Sequence, residues 1–230
     1  MNMSQIIFKC AFKPLTKWAT RRALVGRNRS RFELEKGRFT HSEVNGIHNQ
    51  VWHTFDSLAP DVSKEPTLGS RLNVRLAALT LALLRSLMDA GIERDYAIEL
   101  IGDTCWNLYQ YWGRVGHFLA RLSSRDPIKD HIKHVGKDGS WPMSFPFNPP
   151  GYRARYVSIE DGIGFNVIRC PVAEYFRTNG AADLAVGTWC MLDYPLTEIV
   201  NLRLVRTQTL AAGDDKCDFR WLAAINSNLT

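Results

Sequence analysis

The sequence predicts an α+β fold, a helical N-terminal half packed on a four-stranded antiparallel sheet in β-β-α-α-β-β order. Three observations carry this expectation. Apolar residues recur every three or four positions through residues 41–122, the period of helices with one buried face. From Tyr152 onward the pattern shifts to short β-rich runs. Two of these runs flank Glu160-Asp161-Gly162-Ile163, and Asp-Gly between such runs is a strong hairpin signal.

The elements follow in order. His41 to Leu58 places Val44, Ile47, Val51, Trp52 and Phe55 at helical spacing. Residues 59–70 (APDVSKEPTLGS) carry two prolines and a glycine and read as a connector. A second helix is expected from Arg71 to Ala90, striped by Leu72, Leu76, Leu79, Leu83 and Leu87 and stopped by Gly91. The third, Arg94 to Leu122, carries a core-facing stripe of eight: Ala97, Ile101, Cys105, Leu108, Trp112, Val115, Leu119 and Leu122. Cys105 in that stripe reads as a buried, inert thiol.

Residues 123–151 form a long irregular connection ending in WPMSFPFNPPG, a length that usually signals a lid or a functional loop. His131 and His134 lie three apart there, without Asp, Glu or Cys beside them at metal spacing. Strands are expected at 153–159 and 164–170, then helices at 171–179 and 182–193, with Pro195 discouraging more helix. Two last strands, 201–210 and 216–222, are joined by Ala212-Gly213-Asp214-Asp215. The expected organisation is a basic arm, 1–40, and a single domain, 41–230, with a helical part (41–140) and a sheet part (152–222).

Composition narrows the function classes. With 230 residues, 45% hydrophobic and 23% charged, the chain has globular values. No run nears the roughly 18 apolar residues that suggest a bilayer span. The five cysteines form no C-x-x-C pair, which implies reduced thiols and a cytoplasmic protein. The N-terminus lacks the order of a signal peptide. The net charge of +6 is unevenly placed: residues 1–40 hold ten Lys/Arg and only Glu33 and Glu35. Such an arm suits weak contact with an anionic membrane surface, or else a surface helix docked by Ile7, Phe8, Phe12, Leu15 and Trp18. No nucleic-acid motif accompanies the charge, so no nucleic-acid partner is expected.

Chemistry concentrates in the last sixty residues. Cys170 ends a strand and precedes Pro171, which favours the first position of a helix. The thiol would then cap free N–H groups at the positive helix end and be drawn towards thiolate. The opposing reading is a small buried residue at a strand end. Cys190 and Asp193, three apart, share a helix face and suit an acid/base pair or a helix-buried Cys with a terminal Asp. Cys217 alternates with Phe219 and Trp221 on one strand face, with Asp218 and Arg220 on the other. No G-x-G-x-x-G, P-loop, H-E-x-x-H or G-x-S-x-G occurs, so nucleotide folds, zincins and serine hydrolases have no support.

These residues carry a resemblance. Cys170-Pro171 with Glu174-Tyr175-Phe176, Gly180, Cys190 with Asp193, Arg206-Thr207, and Gly213-x-x-x-Cys217-Asp218-Phe219 resemble the L-2-amino-thiazoline-4-carboxylic acid hydrolase family over roughly residues 70–222. The closing pattern is also similar to the small-molecule-binding domain related to vinyl reductases, an α+β module. The resemblance implies ring-opening hydrolysis of a small cyclic amidine or amide-like C–N bond, giving a carbamoyl-cysteine.

In that reading Cys170 is the nucleophile, Asp193 the general acid/base, and Cys190 and Cys217 neighbouring pocket groups. Arg206 would grip a substrate carboxylate, with Glu174, Tyr175, Thr207 and Asp218 completing the binding surface. No cofactor is expected. A variant keeps open a divalent metal held by the three cysteines and Asp193. The rival reading is a non-catalytic sensor or carrier of small molecules.

Overall fold

The computed structural model describes residues 3–59, 62, 64–123, 149–160, 162–199 and 202–223. His131, His134 and most of the 123–151 connection lie outside the described residues. The helices are α1 (Met3–Leu24), α2 (His41–Leu58), α3 (Leu68–Asp89) and α4 (Arg94–Ser123). After them come β1 (Arg153–Val157), β2 (Gly162–Arg169), α5 (Pro171–Thr178) and α6 (Ala182–Ala185). A π turn (Val186–Cys190), α7 (Met191–Ile199), β3 (Leu202–Val205) and β4 (Cys217–Ala223) complete the order. The α+β architecture is thus a helical N-terminal half and a four-stranded antiparallel sheet.

The chain divides into two compact units, Met1–Asp61 with Ala78–Tyr111, and Val62–Ala77 with Trp112–Thr230. In the first, Thr40 starts α2 through a capping box, its hydroxyl accepting from Glu43 N–H while Glu43 accepts from Thr40 N–H. Gly91 ends α3 at φ 80°: its N–H reaches Met88 O and Ile92 N–H reaches Leu87 O, which closes a Schellman motif. Leu79, Leu83, Leu87, Ala97 and Ile101 are buried as the periodicity predicts, and Leu72 is exposed. The α4 stripe fades along the helix, because Val115 and Leu122 are exposed.

Residues 1–40 belong to this first unit. Phe8 stacks on Phe55 at 5.5 Å and meets Phe12 at 4.7 Å, fastening α1 to α2. Ile7, Leu15 and Trp18, expected to dock with them, point outward instead. A wide inner side of Phe8, Phe12, Thr16 and Ala19 leaves Ile7 and Trp18 on the far side of the 3.6-residue turn and Leu15 at the margin of the inner one. Much of the local positive charge is matched within the unit. Arg27 pairs with Glu99 and Asp103 at 2.9 Å each, Arg29 with Glu43, and Lys9 with Asp56.

His48 is buried between these two helices. Its Nε2 accepts from the Trp52 indole at 3.1 Å and lies 3.1 Å from the Thr16 hydroxyl. Trp N–H can only donate, so Nε2 carries no proton and the ring is neutral. Burial pushes its pKa down to about 4, helped by Lys13, Lys17 and Arg21. Because the folded pKa lies below the unfolded one, this stability is present at neutral pH and lost as pH falls from about 6.5 to 4. Urea titrations at about pH 8 and pH 4.5 should show wild type losing about 2–3 kcal/mol more than His48→Gln. Equal losses would remove His48 from the acid response.

In the second unit the sheet order is β1-β2-β4-β3, every pair antiparallel. Val167 faces Cys217, Phe165 faces Phe219 and Ile163 faces Trp221, so one face is continuously apolar. Phe165, Val167 and Cys217 form a buried cluster against which Cys170 and Leu210 pack. Two expectations are corrected. The helix does not stop before Pro195: after a π turn, α7 runs through it to Ile199. β3 ends at Val205, five residues early, because residues 207–209 give their N–H groups to Asp218 and Asp214 instead of to a strand.

Candidate active site

Cys170 occupies the N-cap of α5 in extended conformation (φ −129°, ψ 107°), with Pro171 as the first helical residue. Its carbonyl accepts the first helical bond, from Glu174 N–H at 3.0 Å. Gly180, at φ 64°, ends the helix in a second Schellman motif, Ala181 N–H reaching Phe176 O at 2.8 Å. Strand end and cap therefore fix the sulfur against the apolar face of the sheet.

The expected drift towards thiolate is overturned. Burial pushes the Cys170 thiol up to about 12, and the N–H groups of Ala173 and Val172 oppose this only in part. An aligned helix end favours the anion, but removing a thiolate from water costs more. Cys190 is raised by burial and by Asp193, and Cys217 by burial, against an N–H from Leu210 at 3.2 Å from its sulfur. All three thiols rest protonated. Asp193 nevertheless links the three cysteines electrostatically, raising each of them, while Arg206 works the other way on Cys190 and Cys217.

The Arg206 side chain is buried, with only 4% of it exposed. Its Nη1 donates to Asp193 Oδ2 at 2.6 Å and its Nη2 to Cys190 O at 2.8 Å. The guanidinium lies 5.2 Å from both the Tyr194 and Phe219 ring centres. A proline in a helix leaves a carbonyl about one turn earlier short of its donor. For Pro195 that carbonyl is Met191's, while the neighbouring carbonyl of Cys190, last in the π turn, accepts from Arg206. Nε of Arg206 is buried and has no partner among the described residues.

Asp193 is pushed up to about 6 by burial, which Arg206 only partly offsets. Its position is held by Thr197, whose hydroxyl donates to Asp193 O at 2.5 Å and accepts from Trp221 Nε1 at 3.1 Å. A carboxyl that titrates just below neutrality can both take and return a proton near pH 7.

The remaining expected residues are occupied elsewhere. Asp218 accepts from Thr207 N–H, Thr207 Oγ1 and Gln208 N–H at 2.9, 2.7 and 2.6 Å. Those bonds draw its carboxyl below the usual range although burial works the other way. Thr207 and Asp218 thus shape the loop that carries Arg206. Glu174 is exposed and pairs with Arg169 at 2.8 Å, while Tyr175 is buried against Phe176.

Sequence reasoning missed Arg169 and Glu65. Arg169, next to Cys170, donates to both oxygens of buried Glu65 at 3.1 and 3.0 Å, and to the carbonyls of Pro150 and Gly151. This fork fastens the start of α3 and residues 150–151 beside the cap. The partners are 104 positions apart, so nothing local announces them.

Among the described residues, no three His, Cys, Asp or Glu side chains converge closely enough to hold a metal ion. With no three of these donors converging and Asp193 engaged by Arg206, this donor set as arranged does not fit the metal variant. No step is derived through a metal.

The sequence model of one family, described as L-2-amino-thiazoline-4-carboxylic acid hydrolase, matches residues 82–221. That span is more than half of the chain and contains Cys170, Cys190, Asp193, Arg206 and Cys217. No curated protein and no solved structure matches. No helix among the described residues is long and apolar enough to cross a membrane.

Proposed function

The chain belongs to the L-2-amino-thiazoline-4-carboxylic acid hydrolase family, and from that premise we propose that it hydrolyses a small cyclic amidine or amide-like bond. The substrate class is that of 2-aminothiazoline-4-carboxylate, opened to a carbamoyl-cysteine. The observation that carries this reading is a cysteine at a helix N-cap grouped with a carboxylate that titrates at about 6.

The chemistry follows from those two groups. Ionised Asp193 takes the Cys170 proton, directly or through water, as the sulfur adds to the electrophilic C=N carbon. The Asp193 proton then goes to the ring atom that leaves. Asp193 next deprotonates a water, which attacks the same carbon and expels Cys170, and hands that proton back to the departing sulfur. The sum is one water added and an unchanged protein. Breaking the ring C–N bond yields the S-carbamoyl product, and breaking the C–S bond yields the N-carbamoyl product with a free thiol.

Mass spectrometry of 2-aminothiazoline-4-carboxylate incubated with purified protein should show a product one water heavier, formed equally with a chelator present. A thiol reagent then tells the two ring openings apart: no new thiol is expected for C–N cleavage. kcat/KM should fall about tenfold per pH unit below about 6, as Asp193 becomes protonated, and level off above. Activity lost with chelator would move the chemistry to a metal. A profile flat through pH 5 to 7 would remove Asp193 as the base.

One observation favours a second reading, a non-catalytic binding domain: burial keeps all three thiols protonated, and binding alone needs no thiolate. No product from folded protein, together with slow alkylation of Cys170 near neutral pH, would select it.

A further inference from the structure

Helix α1 is apolar on two opposite sides, and its own fold covers one. The inner side carries Phe8, Ala19 and Ala23, all buried. The outer side carries Ile7, 62% exposed, and Trp18, 46% exposed, with Cys10 and Pro14 exposed between them and Leu15 at its edge. Basic groups border this ridge: Lys13 and Lys17 on one flank, Arg22 on the other, its guanidinium 5.7 Å from the Trp18 ring centre. No Asp or Glu occurs anywhere in residues 1–32.

We propose that this outer face of α1 docks on an anionic bilayer surface, with Ile7 and Trp18 entering the headgroup layer and Lys13, Lys17 and Arg22 meeting lipid phosphates. Charge complementarity selects the occupant. A basic border without a single acid suits a negative surface, and amphipathic Lys and Arg stems can lie along the apolar ridge with their heads in the polar layer. Trp gains in the same place, with its ring buried and its N–H wet. A nucleic acid would use the charges and leave the Ile7–Trp18 ridge in water. A second copy placed face to face would set Lys13 and Arg22 of each chain near like charges. The helix lies on the membrane and does not cross it. The inference is independent of the hydrolase reading.

Sedimentation of the full chain with vesicles tests it. Binding is expected to phosphatidylcholine vesicles containing about a third phosphatidylglycerol, and not to pure phosphatidylcholine, with loss in about 0.5 M NaCl. Trp18→Gln and Lys13→Glu should each weaken binding at least about fivefold. Both positions are exposed, so melting curves should match wild type and separate lost docking from lost folding. Equal binding to neutral vesicles, or none to anionic ones, overturns the proposal. Unchanged binding by both variants, preference for duplex DNA at equal salt, or a dimer that Trp18→Gln dissolves would do the same.

Discussion

Cys170→Ser is expected to lower turnover of 2-aminothiazoline-4-carboxylate by about 10³-fold or more while leaving the fold intact. The substitution separates chemistry from structure unusually well. Serine is a better N-cap than cysteine, so α5 should keep or gain stability at its first turn. What is lost is the nucleophile: a hydroxyl is far less acidic than a thiol, and burial has already raised this thiol to about 12. A carboxylate titrating near 6 can share a thiol proton in the transition state but has little purchase on a hydroxyl proton.

Cys10→Ser, at an exposed position on α1, is the matched control and should keep full activity. Steady-state kinetics beside a melting curve give the answer. Serine protein retaining more than about a tenth of wild-type kcat/KM would remove Cys170 as nucleophile and leave direct attack by water with Asp193 as base. The same assay on Cys190→Ser and Cys217→Ser should give smaller losses, since Cys190 lies inside a continuous helical run and Cys217 starts a strand, so neither caps free helix N–H groups.

Local signals in the sequence located most elements. The capping box at Thr40 and the glycine after α3 are chain-neighbour effects, and both helix ends fall within a few residues of where periodicity puts them. The apolar alternation of Cys217, Phe219 and Trp221 is likewise local, and the strand register repeats it. What the pattern could not supply depends on distant partners. Pro195 reads as a stop, yet α7 runs through it, and the pairing of Asp193 with Arg206, thirteen positions apart, has no local signal. The outer ridge of α1 is apolar like the inner one, so composition alone could not say which side faces α2.

The site shows the same division. Strand, proline and helix placed Cys170 at its cap correctly, but the state of the thiol is set by burial against Phe165 and Val167 of its own strand and Cys217 of β4, packing that capping alone does not announce. Convergence of the cysteines with Asp193 and Arg206 was legible only through the family resemblance. Glu65 was not legible at all.

Arg206→Leu is expected to act on stability and on the pH profile together. Removing one member of a buried ion pair costs roughly 3–5 kcal/mol, and Asp193 keeps 35% of its side chain in solvent, so about 2–3 kcal/mol is the realistic loss. For a chain of this size that lowers Tm by about 5–10 °C. The sign of the pH dependence identifies the cause. Arg206 holds the Asp193 pKa down against burial, so in the variant it rises above about 6. Below about pH 6 both folded proteins hold Asp193 neutral, and the stability gap stays constant. Above it wild type ionises and the variant does not, so the gap widens by up to about 1.4 kcal/mol per pH unit until the variant's own pKa is reached.

The acid limb of kcat/KM should move upward with that pKa, so activity lost near pH 7 returns in part towards pH 9. A residue that only gripped the substrate carboxylate would raise KM and leave the limb in place. Arg206→Lys should restore the limb in part, because its charge remains near Asp193, and less of the stability, because one ammonium cannot match the two-armed grip on Asp193 Oδ2 and Cys190 O. A limb that stays near 6 in Arg206→Leu, with KM alone increased, would make Arg206 a substrate clamp and leave burial as the sole control of the Asp193 proton.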